Sequence, residues 1–162
     1  MSEIGNYTGK GFTMDEHMKE QLKILNQEIK ELTGIYHQAA SKSGISENEF
    51  WVWYTLIVME SEPSQQDICD IWSLPKQTVN SIVANLVKKN FVVLEMVPGT
   101  RNRKIIRLTE SGQTYGQAIV QTICEAEQRT IARMTDQERQ IGISLLGKYI
   151  HLLREEFNKK SS

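Results

Sequence analysis

The sequence predicts a mainly α-helical protein with a small β-hairpin wing: a winged helix-turn-helix with N- and C-terminal dimerisation helices. Three observations carry that expectation. Two helical segments are separated only by Ser73 and Leu74, so they must cross steeply. A hairpin rich in Arg and Lys follows them. Long amphipathic segments stand on both sides, with apolar stripes that a small winged domain cannot fully cover.

Each element has its own signal. From Met14 to about Ser43, Leu22, Leu25, Ile29, Leu32 and Tyr36 recur at three- and four-residue steps, and Gly44 ends the helix they predict. A second helix starts after Ser46, with Glu49 completing a capping box. It carries Phe50, Trp53, Tyr54, Ile57 and Val58 inward and is stopped by Pro63. Ser64 and Asp67 form the box of a short third helix with Ile68, Ile71 and Trp72 on its apolar side. The fourth begins at Pro75, a residue tolerated where the first N–H groups have no partner anyway, and shows Val79, Ile82, Val83 and Leu86 at helical spacing.

Phe91, Val92, Val93 and Leu94 are strand formers. Pro98 and Gly99 make a turn, and 105–108 returns as a second strand. Thr109 or Ser111 caps a further helix through Ile119, Ile123, Ala126 and Ile131 as far as Met134. Thr135, with Glu138 three residues on, opens a last helix carrying Ile141, Leu145, Leu146, Tyr149, Leu152, Leu153 and Phe157. The expected organisation is an N-terminal tail and dimerisation helix over 1–43, a winged helix-turn-helix lobe over 44–112 and C-terminal dimerisation helices over 113–162.

The 162 residues are 40% apolar and 24% charged, which excludes a disordered chain and a disulfide-stapled miniprotein. No apolar stretch reaches the length of a membrane span, and the N-terminus lacks the layout of a secretory signal, so a cytoplasmic protein is expected. Cys69 and Cys124 lie far apart without metal spacing and are read as packing residues. His17, His37 and His151 form no zinc motif, and no nucleophile elbow, phosphate loop or paired-carboxylate pattern supports catalysis. No cofactor or metal is expected.

The net charge of −1 is unevenly spread. Between Lys76 and Arg107 there are seven basic residues and one acid, Glu95, so this window carries +6 and the remainder −7. A cationic segment on an acidic protein is the footprint of a polyanion-binding face, although a solvated basic surface would look the same.

The segment PKQTVNSIVANLVKK is apolar at the back and polar in front, where Lys76, Gln77, Thr78, Asn80, Ser81 and Asn85 are left outward beside Pro75. A second helix of this kind works by entering the major groove, where a carboxamide such as Gln77 or Asn80 pairs bidentately with adenine. Lys76, Thr78 and Ser81 reach base edges or phosphates. The bland alternative is polar cover on a solvated helix. The hairpin tip, with Thr100, Arg101, Asn102, Arg103 and Lys104, suits phosphates or the minor groove, and would also serve to keep an edge hairpin soluble.

The stretch from Ser64 to Gly112, SQQDICDIWSLPKQTVNSIVANLVKKNFVVLEMVPGTRNRKIIRLTESG, resembles the winged helix-turn-helix of the MarR family of bacterial regulators, most specifically in PKQTVNSIV and LTESG. The resemblance implies a homodimer on a pseudo-palindromic operator in double-stranded DNA, with Ser64, Gln65 and Gln66 joining the contacts, and release by a small-molecule effector. The role it implies is transcriptional regulation, most often repression. Trp51, Trp53, Tyr54, Trp72, Tyr36 and Phe12 are read mostly as core or staple residues, with the lining of an effector pocket as the alternative. Two departures stand out. The family's wing pairs an Asp with an Arg two residues on; Thr100 and Asn102 hold those places, or Gly99 and Arg101 if Ile105 or Ile106 is an extra residue. The acid that would orient the arginine is missing from the wing either way. Asn90 replaces the glycine that ends the recognition helix. A winged helix used only for docking proteins is the alternative function, and it would not need Gln77 and Asn80 beside Arg101 and Arg103.

Overall fold

A computed structural model describes residues 13–159. The order is α1 (Glu16–Lys42), α2 (Glu47–Ile57), α3 (Gln65–Trp72), α4 (Lys76–Lys88), β1 (Val92–Met96), β2 (Lys104–Leu108), α5 (Glu110–Ala132) and α6 (Asp136–Lys159). The chain divides into two compact units inside α2, between Glu49 and Phe50.

In the first unit α1 runs for 27 residues from an Asp15 cap, whose carboxylate accepts from the Met18 N–H at 3.0 Å. The helix begins two residues after the expected Met14. It ends where Gly44 turns left-handed at φ 76°, and the Gly44 and Ile45 N–H groups return to the Ser41 and Ala40 carbonyls. Of the expected stripe, Leu22, Leu25 and Tyr36 are half-buried, whereas Ile29 and Leu32 are exposed. Phe12 lies outside the described residues.

The second unit has the core. Phe50, Val52, Trp53 and Leu56 come from α2, Ile68 and Cys69 from α3, and Val79, Val83 and Leu86 from α4; the hairpin adds Val92 and Ile106, and α5 adds Ile119, Val120 and Ile123. In α2 the buried positions exceed one stripe, because Val52 and Thr55 join Phe50, Trp53 and Leu56. Val58 is a correction. The helix stops at Ile57, well before Pro63, a left-handed Glu60 follows, and Val58 is left outside the helix and exposed. Ile71 is also exposed, since α3 has only eight residues and buries just Ile68 and Cys69.

Thr55 fastens α3 to α2. Its buried hydroxyl donates to the Trp51 carbonyl at 2.8 Å and accepts from the Trp72 indole N–H at 2.7 Å, beneath the stacked Trp51 and Trp72 rings. Both polar groups are thus satisfied away from water.

Pro75 serves as the N-cap of α4 rather than its first helical residue. At the other end Asn90 takes φ 59°, which supplies the left-handed stop expected of it, and Phe91 returns its N–H to the Leu86 carbonyl. The strands pair antiparallel from Val92 with Leu108 to Met96 with Lys104. β1 therefore reaches two residues beyond the expected end at Leu94. The register runs without a break through Ile105 and Ile106, so neither forms a bulge.

Thr109, not Ser111, caps α5, accepting from the Gly112 N–H at 3.0 Å; both hydroxyls donate to the Asn90 carbonyl. The helix closes at Ala132, two residues before the expected Met134. Thr135 and Glu138 form the expected capping box of α6. None of the α6 residues is buried, so Leu145, Leu146, Leu153 and Phe157 remain uncovered within the chain.

Two glycines let α5 lie against its neighbours. A Cβ at Gly116 would sit 2.6 Å from the Trp53 ring, and one at Gly112 would overlap the Phe91 carbonyl oxygen. Backbone cannot swing aside as a side chain can. Gly112→Ala is therefore expected to cost about 3 kcal/mol or to prevent folding, which urea unfolding followed by circular dichroism would measure.

Candidate nucleic-acid interface

The helix-turn-helix pair, α3 and α4, is joined through a left-handed Ser73 at φ 52°, with the Leu74 N–H closing on the Cys69 carbonyl. Val79, Val83 and Leu86 anchor α4 to the core, with Ile82 half-buried beside them. The opposite surface exposes Lys76, Gln77, Asn80, Ser81 and Asn85, while Thr78 is half-buried at its margin. The helix contains no acid at all. Pro75 offers no side-chain hydrogen bond, so the first N–H groups of α4 are left to water or to an incoming anion.

The wing tip folds on itself through the Val97 N–H to the Arg103 carbonyl at 2.9 Å and the Thr100 hydroxyl to the Val97 carbonyl at 2.7 Å. Thr100, Arg101, Asn102, Arg103 and Lys104 are all exposed. Gly99 at φ 79° makes the turn beside Pro98.

A carboxylate from outside the hairpin meets Arg103. Asp67 Oδ2 accepts from the Ser64 N–H and Ser64 Oγ, both at 2.8 Å, and from Arg103 Nη2 at 3.0 Å. The Asp67 N–H in turn donates to Ser64 Oγ at 3.2 Å. These donors hold the Asp67 carboxyl below its ordinary range, the Ser64 N–H and hydroxyl most strongly; burial opposes them, and Arg103 adds its smaller share to the lowering. Sequence reading found Asp67 only as a helix cap; its pairing with a residue 36 positions away had no local signal.

Arg107 is likewise engaged, with Nε 3.0 Å from Glu95 and 3.3 Å from Glu62. Beside it the Ile106 N–H donates to the Pro63 carbonyl at 2.8 Å. Of the seven cations counted in the basic window, Lys76, Lys88, Lys89, Arg101 and Lys104 make no ion pair among the described residues. Of the three residues expected at the helix start, Ser64 is committed to the cap, Gln65 is half-buried, and exposed Gln66 donates to Asp70 at 2.8 Å.

Trp53 belongs to the core, and Trp51, Tyr54 and Trp72 form a half-buried aromatic cluster. Tyr54 also lines a cleft of about 430 Å³ with Val58, Cys124, Glu127 and Ile131. Burial, with help from Glu127, raises the Cys124 thiol, and burial followed by Asp70 raises that of buried Cys69, so both favour the protonated form. Among the described residues no group of three His, Cys, Asp or Glu is placed to hold a metal, and no helix is long and apolar enough to cross a membrane.

Residues 43–101 match the model of the MarR family. Over that segment the chain is similar to the MarR family. A MarR family regulator from Neisseria meningitidis superposes with a TM-score of 0.77 at 23% identity, over 86% of this chain and 98% of that one. A MarR family chain from Listeria monocytogenes, solved with 26mer DNA, gives 0.64 at 16% identity over 83% and 89%. The MepR–DNA complex of Staphylococcus aureus gives 0.59 at 21% over 81% and 96%. At these identities the likeness is one of fold. No curated protein matches the chain significantly.

The wing here is braced by a charged carboxylate, and that fixes a pH dependence. Because the folded pKa of Asp67 is lowered, its stabilising contribution is complete above the unfolded value near 3.8 and is lost as pH falls through the lower folded value. Wild type is expected to exceed Asp67→Asn in stability by a constant margin above about pH 5, and the margin should vanish below the folded pKa in a pH series of thermal melts.

Proposed function

We propose that the protein is a transcription regulator that binds double-stranded DNA sequence-specifically as a homodimer. The observation that carries this reading is the face of α4: five exposed polar or cationic side chains, no acid, and an uncapped N-terminus, set on a rigid apolar back. Gln77 and Asn80 are the base readers, and Lys76, Thr78, Ser81 and Asn85 contact base edges or phosphates around them. Pro75 and the first N–H groups of α4 face the backbone of the duplex. The wing follows the phosphates or the minor groove with its exposed basic tip, and Gln65 and Gln66 add contacts from the start of α3. The DNA complexes of the Listeria and Staphylococcus relatives support the reading.

The proposed organisation assigns 44–112 to DNA and the flanking helices, 1–43 and 113–162, to a second copy of the chain. Support comes from α1 and α6, whose apolar residues, among them Leu32, Ile143, Leu145 and Phe157, are more than half exposed in the single chain. A dimer sets two copies of α4 about 34 Å apart, one DNA turn, which suits a pseudo-palindromic operator and repression by occupancy. The cleft beside Tyr54 is the place where a small effector would act.

Two experiments test this. Duplex affinity should fall steeply with salt, and Gln77→Ala or Asn80→Ala should each cost about 1–3 kcal/mol on the selected operator while leaving affinity for random duplex unchanged. Absent or salt-insensitive binding would favour a protein-docking module instead. In sedimentation, Leu145→Glu combined with Phe157→Glu should convert a dimer to monomers; a wild-type chain already monomeric would remove the dimer from the proposal.

A further inference from the structure

The wing's cations are in two different situations. Arg101 and Lys104 are exposed and unpaired among the described residues, whereas Arg103 is held 3.0 Å from a carboxylate that is itself fixed by Ser64 at the first turn of α3. Oδ2 of Asp67 receives all three donors, so the start of α3 and the tip of the hairpin share a single oxygen. An arginine anchored in this way has its guanidinium turned to the protein, and its backbone carbonyl closes the tip through the Val97 N–H. The residues on either side of it then have a fixed place from which to reach outward.

We infer that Asp67 is a positioning residue of the wing: it latches Arg103 to α3, so that Arg103 sets the hairpin's place while Arg101 and Lys104 make the phosphate contacts. The inference rests on the proposed DNA binding and assigns different work to residues that the sequence leaves equivalent. It also makes a prediction against simple charge counting. Deleting an acid from a face that binds a polyanion should tighten binding, whereas deleting a latch should weaken it.

Asp67→Asn is the suitable variant, because an amide oxygen still accepts from Ser64 and the cap of α3 survives. Titration of a fluorescent mixed-sequence duplex with the full-length protein should show Asp67→Asn weakening affinity about two- to fivefold, with the salt slope unchanged. Arg103→Gln should weaken it too, and adding Asp67→Asn to Arg103→Gln should cost nothing more, since the latch is already open. Arg101→Ala should instead lower the slope by about 0.9 per subunit. Tighter binding by Asp67→Asn, or additive losses in the double variant, would overturn the inference.

Amide hydrogen exchange of residues 99–104 separates a failure here from a failure of the DNA reading. Faster exchange at the tip in both Asp67→Asn and Arg103→Gln is the expected result, whether or not wild type binds a duplex; unchanged exchange in both variants defeats the latch. Wild type that shows no binding in dilute salt defeats the proposed function, leaving exchange to decide the latch alone.

Discussion

A hairpin of two five-residue strands is not stable in water by itself, and this one is held by the stretch from Glu62 to Asp67 that leads into α3. Three contacts run along that stretch. Glu62 meets Arg107, the Pro63 carbonyl takes the Ile106 N–H, and Asp67 takes Arg103. From the other side Val92 and Ile106 sink into the core beside α4. The wing is therefore pinned at its base by packing and backbone pairing, and toward its tip by a charge. Ion pairs this exposed add little stability individually, so their value here is in geometry: they decide where a flexible basic loop lies.

The same contacts divide the positive charge. Arg103 and Arg107 are paired with Asp67, Glu62 and Glu95, leaving Lys76, Lys88, Lys89, Arg101 and Lys104 as the cations of that window without an ion pair among the described residues. A basic window counted from sequence thus overstates the unpaired charge it holds. The acids that do the neutralising are drawn from β1, from the linker before α3 and from the first turn of α3, so segments outside the basic window contribute to the electrostatics of this surface.

Steep turns and close approaches shape the rest of the second unit. Ser73 and Asn90 stop α3 and α4 in left-handed conformations, each followed by a backbone return to the last helical turn. These stops aim α4 outward from a core it shares with α2. Gly112 and Gly116 bring α5 against Phe91 and Trp53, where the Phe91 and Tyr115 rings stack with centroids 4.4 Å apart. Phe91, just after the end of α4, is thereby held in a packed aromatic cluster with Trp53 and Tyr115.

By itself the sequence determined the elements and some of their ends: the caps at Ser46, Ser64 and Thr135, the left-handed stop at Asn90, the polar front of α4 and the turn at Gly99 all depend on residues within about four positions of one another. Tertiary structure decided what those patterns could not contain. It exposed Val58 and Ile71, which helical spacing had placed inward, because α2 stopped early and α3 was too short to bury both. It chose Thr109 over Ser111 as a cap, and it brought Asp67 to Arg103 and Glu62 to Arg107 across 36 and 45 positions. Local chemistry fixes conformation through bonds to near neighbours, whereas a pairing between distant charges exists only after packing has brought their backbones together.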